Sequence, residues 1–175
     1  MNEVHQVIAS LLRKLLEALC REPNAIQIEL LDESPKVFSV RVAREDHGRC
    51  VGKQGGTIWA ISALIWYACD AHKVDPVEVR LERQPRSIKP QLPFRPNRQW
   101  SREAIRDLMH IILINTFMRD SAFVIEEGQE PATAIVAIRL NKPCPADFEE
   151  ALQKVVHAAG LNCGAQLEAK ITHGK

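Results

Sequence analysis

The chain has 175 residues, 46% of them hydrophobic and 26% charged, with a formal net charge of +1. That is the profile of an ordinary globular protein, long enough for one large unit or two small ones. It argues against a strongly basic binder, so any contact with nucleic acid has to come from local charge and shape.

In chain order, the first predicted element is a helix over 3–20. Val4, Val7, Ile8, Leu11, Leu12, Leu15, Leu16 and Leu19 recur at spacings of three and four, a stripe wide enough to pack on a sheet. Pro23-Asn24 ends it. Alternation of Ile26, Ile28 and Leu30 predicts a strand over 26–31, and that of Phe38, Val40 and Val42 a second over 37–43. The segment Asp32-Glu33-Ser34-Pro35-Lys36 between them is turn chemistry, so the two strands form a hairpin. A short helix over 45–51 and a long one over 56–72 follow. Ile58, Ile61, Leu64, Ile65 and Ala68 of the long helix face the core. After Asp75-Pro76, Val77, Val79 and Leu81 alternate in a third strand.

Between the short and the long helix stands Arg49-Cys50-Val51-Gly52-Lys53-Gln54-Gly55-Gly56-Thr57-Ile58, with Ile61 one turn later. Glycines let the backbone turn sharply and approach a ligand closely. The amides opening the second helix favour an anion, and Lys53 adds a mobile cation. A glycine-rich connection without a ligand is the plain reading. A P-loop does not fit, because Gly48 and Gly52 are separated by three residues and Lys53 is followed by Gln54. No G-x-G-x-x-G dinucleotide fingerprint is present. The string Val51-Gly52-x-x-Gly55-x-x-Ile58-x-x-Ile61 resembles the KH signature, in which a GXXG turn clamps the backbone of about four nucleotides. The order α-β-β-α-α-β is that of a type II KH domain, and residues 1–84 resemble the small bacterial single-KH RNA-binding proteins. The resemblance implies non-catalytic binding of single-stranded RNA in bacterial RNA metabolism or ribosome-associated processes. It places Gly52, Lys53, Gln54 and Gly55 at the phosphates, with Gly56 beside them. Val51, Ile58 and Ile61 serve the core first and floor the groove with what surface they leave. Arg49 and Thr57 flank the loop, each within reach of a phosphate or simply solvated. The alternative is a protein-interaction module with a vestigial groove. Trp59 and Trp66, seven residues apart on one helix face, predict packing on the second half or on another copy.

Residues 85–100 read as a linker, extended by Pro85, Pro90, Pro93 and Pro96. It carries Arg86, Lys89, Arg95 and Arg98 and no acid. Residues 1–84 hold eleven Lys and Arg against twelve Asp and Glu, and residues 101–175 hold eight against ten. The positive charge is thus concentrated in the linker, which is either a solvated spacer or an accessory phosphate contact.

In the second half, Ser101 caps a helix over 102–117. Strands over 122–126 and 132–140, a helix over 146–159 entered through Pro145, and a strand over 165–172 follow. This α-β-β-α-β order echoes the first half. Segments 25–43 and 122–140 are equal in length, but the stretch after the second is shorter, with Asn141-Lys142-Pro143-Cys144-Pro145 where the short helix and glycine loop belong. The expected fold is α+β: a type II KH domain over 1–84, a linker over 85–100, and a degenerate KH-like α-β-β-α-β domain over 101–175 without GXXG. An unrelated α+β unit with the same order is the plain alternative. Arg106-x-x-x-His110 also resembles a second small nucleic-acid module, but the elements after it do not fit.

Five cysteines (Cys20, Cys50, Cys69, Cys144, Cys163) show no C-x-x-C or C-x-x-x-H spacing, which argues against a disulfide framework or zinc site. The six histidines are dispersed, and no H-E-x-x-H or G-x-S-x-G occurs. No catalytic residue, metal ligand or cofactor is expected. The run from Val7 to Cys20 is broken by Arg13, Lys14 and Glu17 and has no signal-peptide layout. The expected location is cytoplasmic, away from membranes. Single-stranded RNA, a second copy or another KH protein are the expected partners.

Overall fold

The computed structural model describes residues 3–82, 101–116, 118, 120–128, 132–141 and 143–173. The basic linker expected over 85–100 lies outside the described residues. The first half contains α1 (Glu3–Leu19), β1 (Gln27–Leu31), β2 (Val37–Arg41), α2 (Arg44–Val51), α3 (Gly56–Ala71) and β3 (Glu78–Leu81). The second contains α4 (Arg102–Asn115), β4 (Ala122–Glu127), β5 (Thr133–Leu140), α5 (Ala146–Cys163) and β6 (Gln166–His173). Among the described residues no helix is long and apolar enough to cross a membrane.

Each half builds a three-stranded sheet of the same design. β1 pairs antiparallel with β2, and β2 runs parallel to β3. β4 pairs antiparallel with β5, and β5 runs parallel to β6. Residues 32–36 join the first hairpin and residues 128–132 the second, five positions in each. The first residue of the middle strand faces the first residue of the last strand in both sheets, Val37 opposite Glu78 and Thr133 opposite Gln166. Those pairs are 41 and 33 positions apart, and the difference of eight equals the length of α2. Between β5 and α5 the described residues carry no helix.

Element ends follow local chemistry. The Ser101 hydroxyl accepts a hydrogen bond from the Ala104 amide at 3.3 Å and caps α4. α5 runs past the expected end at 159 and stops at Cys163. Gly160 stays helical and lies so close to β6 that a Cβ there would stand 2.6 Å from Leu167 Cγ, and Gly164 takes the left-handed cap instead.

The helices of the two halves face each other, with the sheets outside them. α3 packs along α5 and α1 along α4, and the apolar interior is one cluster that draws on both halves. Leu11, Leu12, Leu15, Ile61, Leu64 and Ile65 are fully buried from one side, Phe148, Leu152, Val155 and Val156 from the other. α3 and α5 run antiparallel. Near the start of α5, Tyr67 donates a hydrogen bond to Asp147 at 2.7 Å and meets the Phe148 ring edge-on at 5.2 Å. Burial, then the Asp147 carboxylate, pushes the Tyr67 phenol above its usual range, so it stays a donor.

At the other end Asn162 is 3% exposed. Its amide donates to the carbonyls of Ala18 at 2.8 Å and Cys20 at 3.4 Å, while its oxygen accepts from Arg49 at 2.5 Å. One side chain thereby ties α5 to the end of α1 and to α2. Replacing Asn162 by Ala should leave these buried groups short of partners and lower stability by about 1–3 kcal/mol. Urea unfolding of the full chain should show a single transition shifted to lower midpoint, and two separate transitions would show that the halves fold independently.

Candidate nucleic-acid interface

The glycine loop is a tight reversal between α2 and α3. Gly52 has φ 74° and ψ 177°, Gln54 φ 53°, and Gly55 φ 79°. These are left-handed values that side chains rarely adopt. The Gly52 amide donates to Gly48 O at 2.9 Å and the Gly55 amide to Gly52 O at 3.3 Å, which closes the turn. The two glycines serve different needs. A Cβ on Gly52 would stand 2.1 Å from Thr57 Oγ1, whereas a Cβ on Gly55 meets nothing within 4 Å. Gly52 therefore provides both the backbone angle and the room for Thr57, and Gly55 the angle alone.

Around that turn the expected residues separate into three groups. Lys53 and Gln54 are exposed at its tip. Gly55, Gly56, Val51 and Ile58 are half-buried, and Thr57 is 9% exposed behind Gly52. Ile61 is fully buried, so it supports α3 from the core and has no surface with which to floor a groove.

Arg49 is turned away from the loop tip. Besides Asn162 it lies 3.9 Å from the fully buried Asp46 carboxylate. Burial and then the neighbouring Arg21 charge press its pKa downward, and Asp46 opposes them. The other Asp46 oxygen accepts from the amides of Arg21 and Glu22 at 2.8 and 2.9 Å, which pins the first turn of α2 to the end of α1. The Sγ atoms of Cys20 and Cys50 touch at 3.5 Å in the same junction. That contact, and then burial, push the Cys20 thiol up. Cys144 is held as a thiol too: burial first, then donation to Glu149 at 3.4 Å, push its pKa up to about 12. A group so protonated at neutral pH is a poor nucleophile.

Two grooves border α3. One, of about 470 Å³, lies between the glycine loop and α5, with Gly52, Lys53, Gly56 and Thr57 on one side and Lys154, His157, Ala158 and Leu161 on the other. The second, of about 290 Å³, runs between α3 and β3 beside Trp59, Ser62, Ala63 and Trp66, with Asp147 at its rim. Trp59 and Trp66 are 41% and 48% exposed, so packing on the second half covers them only in part; Tyr67, 5% exposed, is the aromatic that packs deepest against it. The Lys154 ammonium stands 4.5 Å over the Trp59 ring. Arg106 and His110 are exposed on α4.

Lys154, His157, Asp46 and Asn162 escaped the sequence reading. Positions 154, 157, 158 and 161 share one stripe of α5, but nothing in their spacing says which loop that stripe will meet. Asp46 had a weak signal as an acid in the first turn of a helix.

Residues 9–81 match the family model of the KhpA/KhpB KH domain. The match begins within α1 and ends at the last residue of β3. No curated protein matches the chain.

Gly52→Ala should destabilise the protein more than Gly55→Ala, which should cost about 1–2 kcal/mol for the left-handed backbone alone. Urea midpoints of the two variants give the comparison. Equal losses would show that the contact with Thr57 is easily relieved.

Proposed function

We propose that this protein binds single-stranded RNA, without catalysis, through the glycine loop at Gly52–Gly55, a reading supported by the match of residues 9–81 to the KhpA/KhpB KH domain. The observation that carries the proposal is the loop itself. It joins a left-handed backbone at Gly52 and Gly55 to an exposed Lys53-Gln54 tip and the N-terminus of a 16-residue helix. Such a turn lets phosphates approach the backbone with no Cβ in the way, where helix amides and an ammonium attract negative charge. Gly56 extends that surface, Thr57 backs Gly52 from its buried side, and Val51 and Ile58 support the turn. Arg49 acts as a brace for the loop rather than as a phosphate ligand. The half-buried apolar surface beside Ser62 and Ala63, next to Val77 and Val79, suits bases displayed by a clamped strand.

The proposed division is a KH unit over 1–84, a linker over 85–100 and a degenerate KH-like unit over 101–175. Three features support reading the second half as a repeat: equal strand order and direction, five-residue hairpin connections, and a deficit equal to α2. Without α2 and the glycine turn, that half has no clamp of its own. The exposure of Trp59 and Trp66 favours a second reading, a module for a protein partner such as a second copy or another KH protein.

The test is Lys53→Asp with Gln54→Asp in the full chain. Two carboxylates at an exposed tip should leave folding intact and weaken binding of labelled single-stranded RNA, followed by fluorescence anisotropy, by at least about tenfold. Unchanged affinity in the folded double variant removes the loop from the mechanism. A folded wild-type chain that binds no RNA at low salt favours the protein-partner reading.

The linker carries a separate prediction. With Arg86, Lys89, Arg95 and Arg98 all replaced by Gln, the slope of log affinity against log salt should fall by up to roughly three, at about 0.7 for each single-strand phosphate contact. An unchanged slope leaves the segment a spacer.

A further inference from the structure

The second half offers more to the glycine loop than support. The groove of about 470 Å³ between loop and α5 falls within the range of roughly 300–1,000 Å³ typical of ligand pockets. Its wall on the α5 side is one helical stripe, Lys154, His157, Ala158 and Leu161, and Asn162 anchors the end of that stripe through the carbonyls of Ala18 and Cys20. Lys53 stands on the opposite wall, and among the described residues no carboxylate lines the space. Leu19, Ala158 and Leu161 add apolar surface. Cations at the rim with apolar surface between them match a nucleotide, whose phosphate is charged and whose base presents a flat face that packs on apolar surface.

Lys154 is partly engaged already. It pairs with Glu150 at 2.6 Å and stands over the Trp59 ring. An exposed pair of this kind holds its ammonium by less than about 1 kcal/mol, so a phosphate can compete for it. Its place over Trp59 also puts one cation beside both grooves of α3.

We infer that the groove between the glycine loop and α5 continues the RNA site, with Lys154 and His157 contacting the strand opposite Lys53, so that one RNA molecule touches both halves. This inference rests on the proposed RNA binding through the loop. Neither residue belongs to the matched KH segment, which ends at Leu81. The second half is then a wall of the binding site although it has no glycine clamp. RNA of about four nucleotides, the length a KH loop grips, need not reach that wall, whereas a longer strand does.

The experiment uses the full chain with four- and twelve-nucleotide fluorescein-labelled single-stranded RNAs of mixed sequence, titrated at several salt concentrations. Lys154→Gln with His157→Gln should weaken binding of the twelve-nucleotide RNA about three- to tenfold. Loss of the Lys154 contact should lower the salt slope by about 0.7. Binding of the four-nucleotide RNA should hardly change. Lys154→Arg should restore the slope, which a merely structural role for the residue does not predict. Lys170→Gln, exposed on strand β6, is the control for general charge. Wild-type affinity and slope in the Lys154/His157 double variant, with binding still lost in the Lys53/Gln54 double variant, overturn this inference and leave the loop reading standing. Wild-type binding in the Lys53/Gln54 variant overturns the loop reading itself.

Discussion

The helices of the first half have two faces to satisfy, and that constraint shapes the molecule. One face of α3 packs against β3, and α1 shares a buried cluster with Phe38 and Val40 of β2. The other is apolar as well and is buried by α4 and α5, so both halves contribute to a single interior. Equivalent elements meet, α1 with α4 and α3 with α5, as in an isologous dimer in which the same surface is used by both partners. Here the two partners share one chain, so the contact forms at a concentration set by the connection rather than by the solution. Polar anchors at each end hold α3 and α5 in register: Tyr67 with Asp147, and Asn162 with Arg49 and the end of α1.

That docking reaches the glycine loop. Arg49, the last basic residue of α2, is held by Asn162 from α5, and Asp46 ties the start of the same helix to the backbone at Arg21 and Glu22. A strained turn persists when its surroundings over-determine it. Of the three positions with positive φ, Gly52 is surrounded in this way, with Thr57 filling the space beside it. The second half thus stiffens the loop from behind while it builds a groove in front of α3.

The charge distribution fits a binder that works locally. The chain is nearly neutral, so long-range attraction of RNA is weak. In the proposed site, cations gathered at one groove would raise affinity there, because neutralising a phosphate releases its condensed counterions.

Much of the architecture was legible in the residues. Periodicity placed α1, α3 and α4 and the strands β1, β2, β3 and β6, because apolar spacing of 3.6 or 2 follows directly from backbone geometry. The string from Val51 to Ile61 marked the turn, since few residues besides glycine tolerate the angles at positions 52 and 55. The shorter stretch between β5 and α5, where the described residues carry no helix, was also readable as a difference in residue counts. Other features came from tertiary packing alone. Ile61 looked as able as Ile58 to floor a groove, and only its burial separates them. Arg49 read as a loop-flanking cation until Asn162, more than a hundred positions away, was found beside it. Lys154 and His157 sit on a mixed helix face whose partner no local pattern encodes. Local sequence determines which groups a turn of backbone presents. Which groups meet across α3 and α5 depends on burying two apolar helix faces against each other, a property of the whole chain.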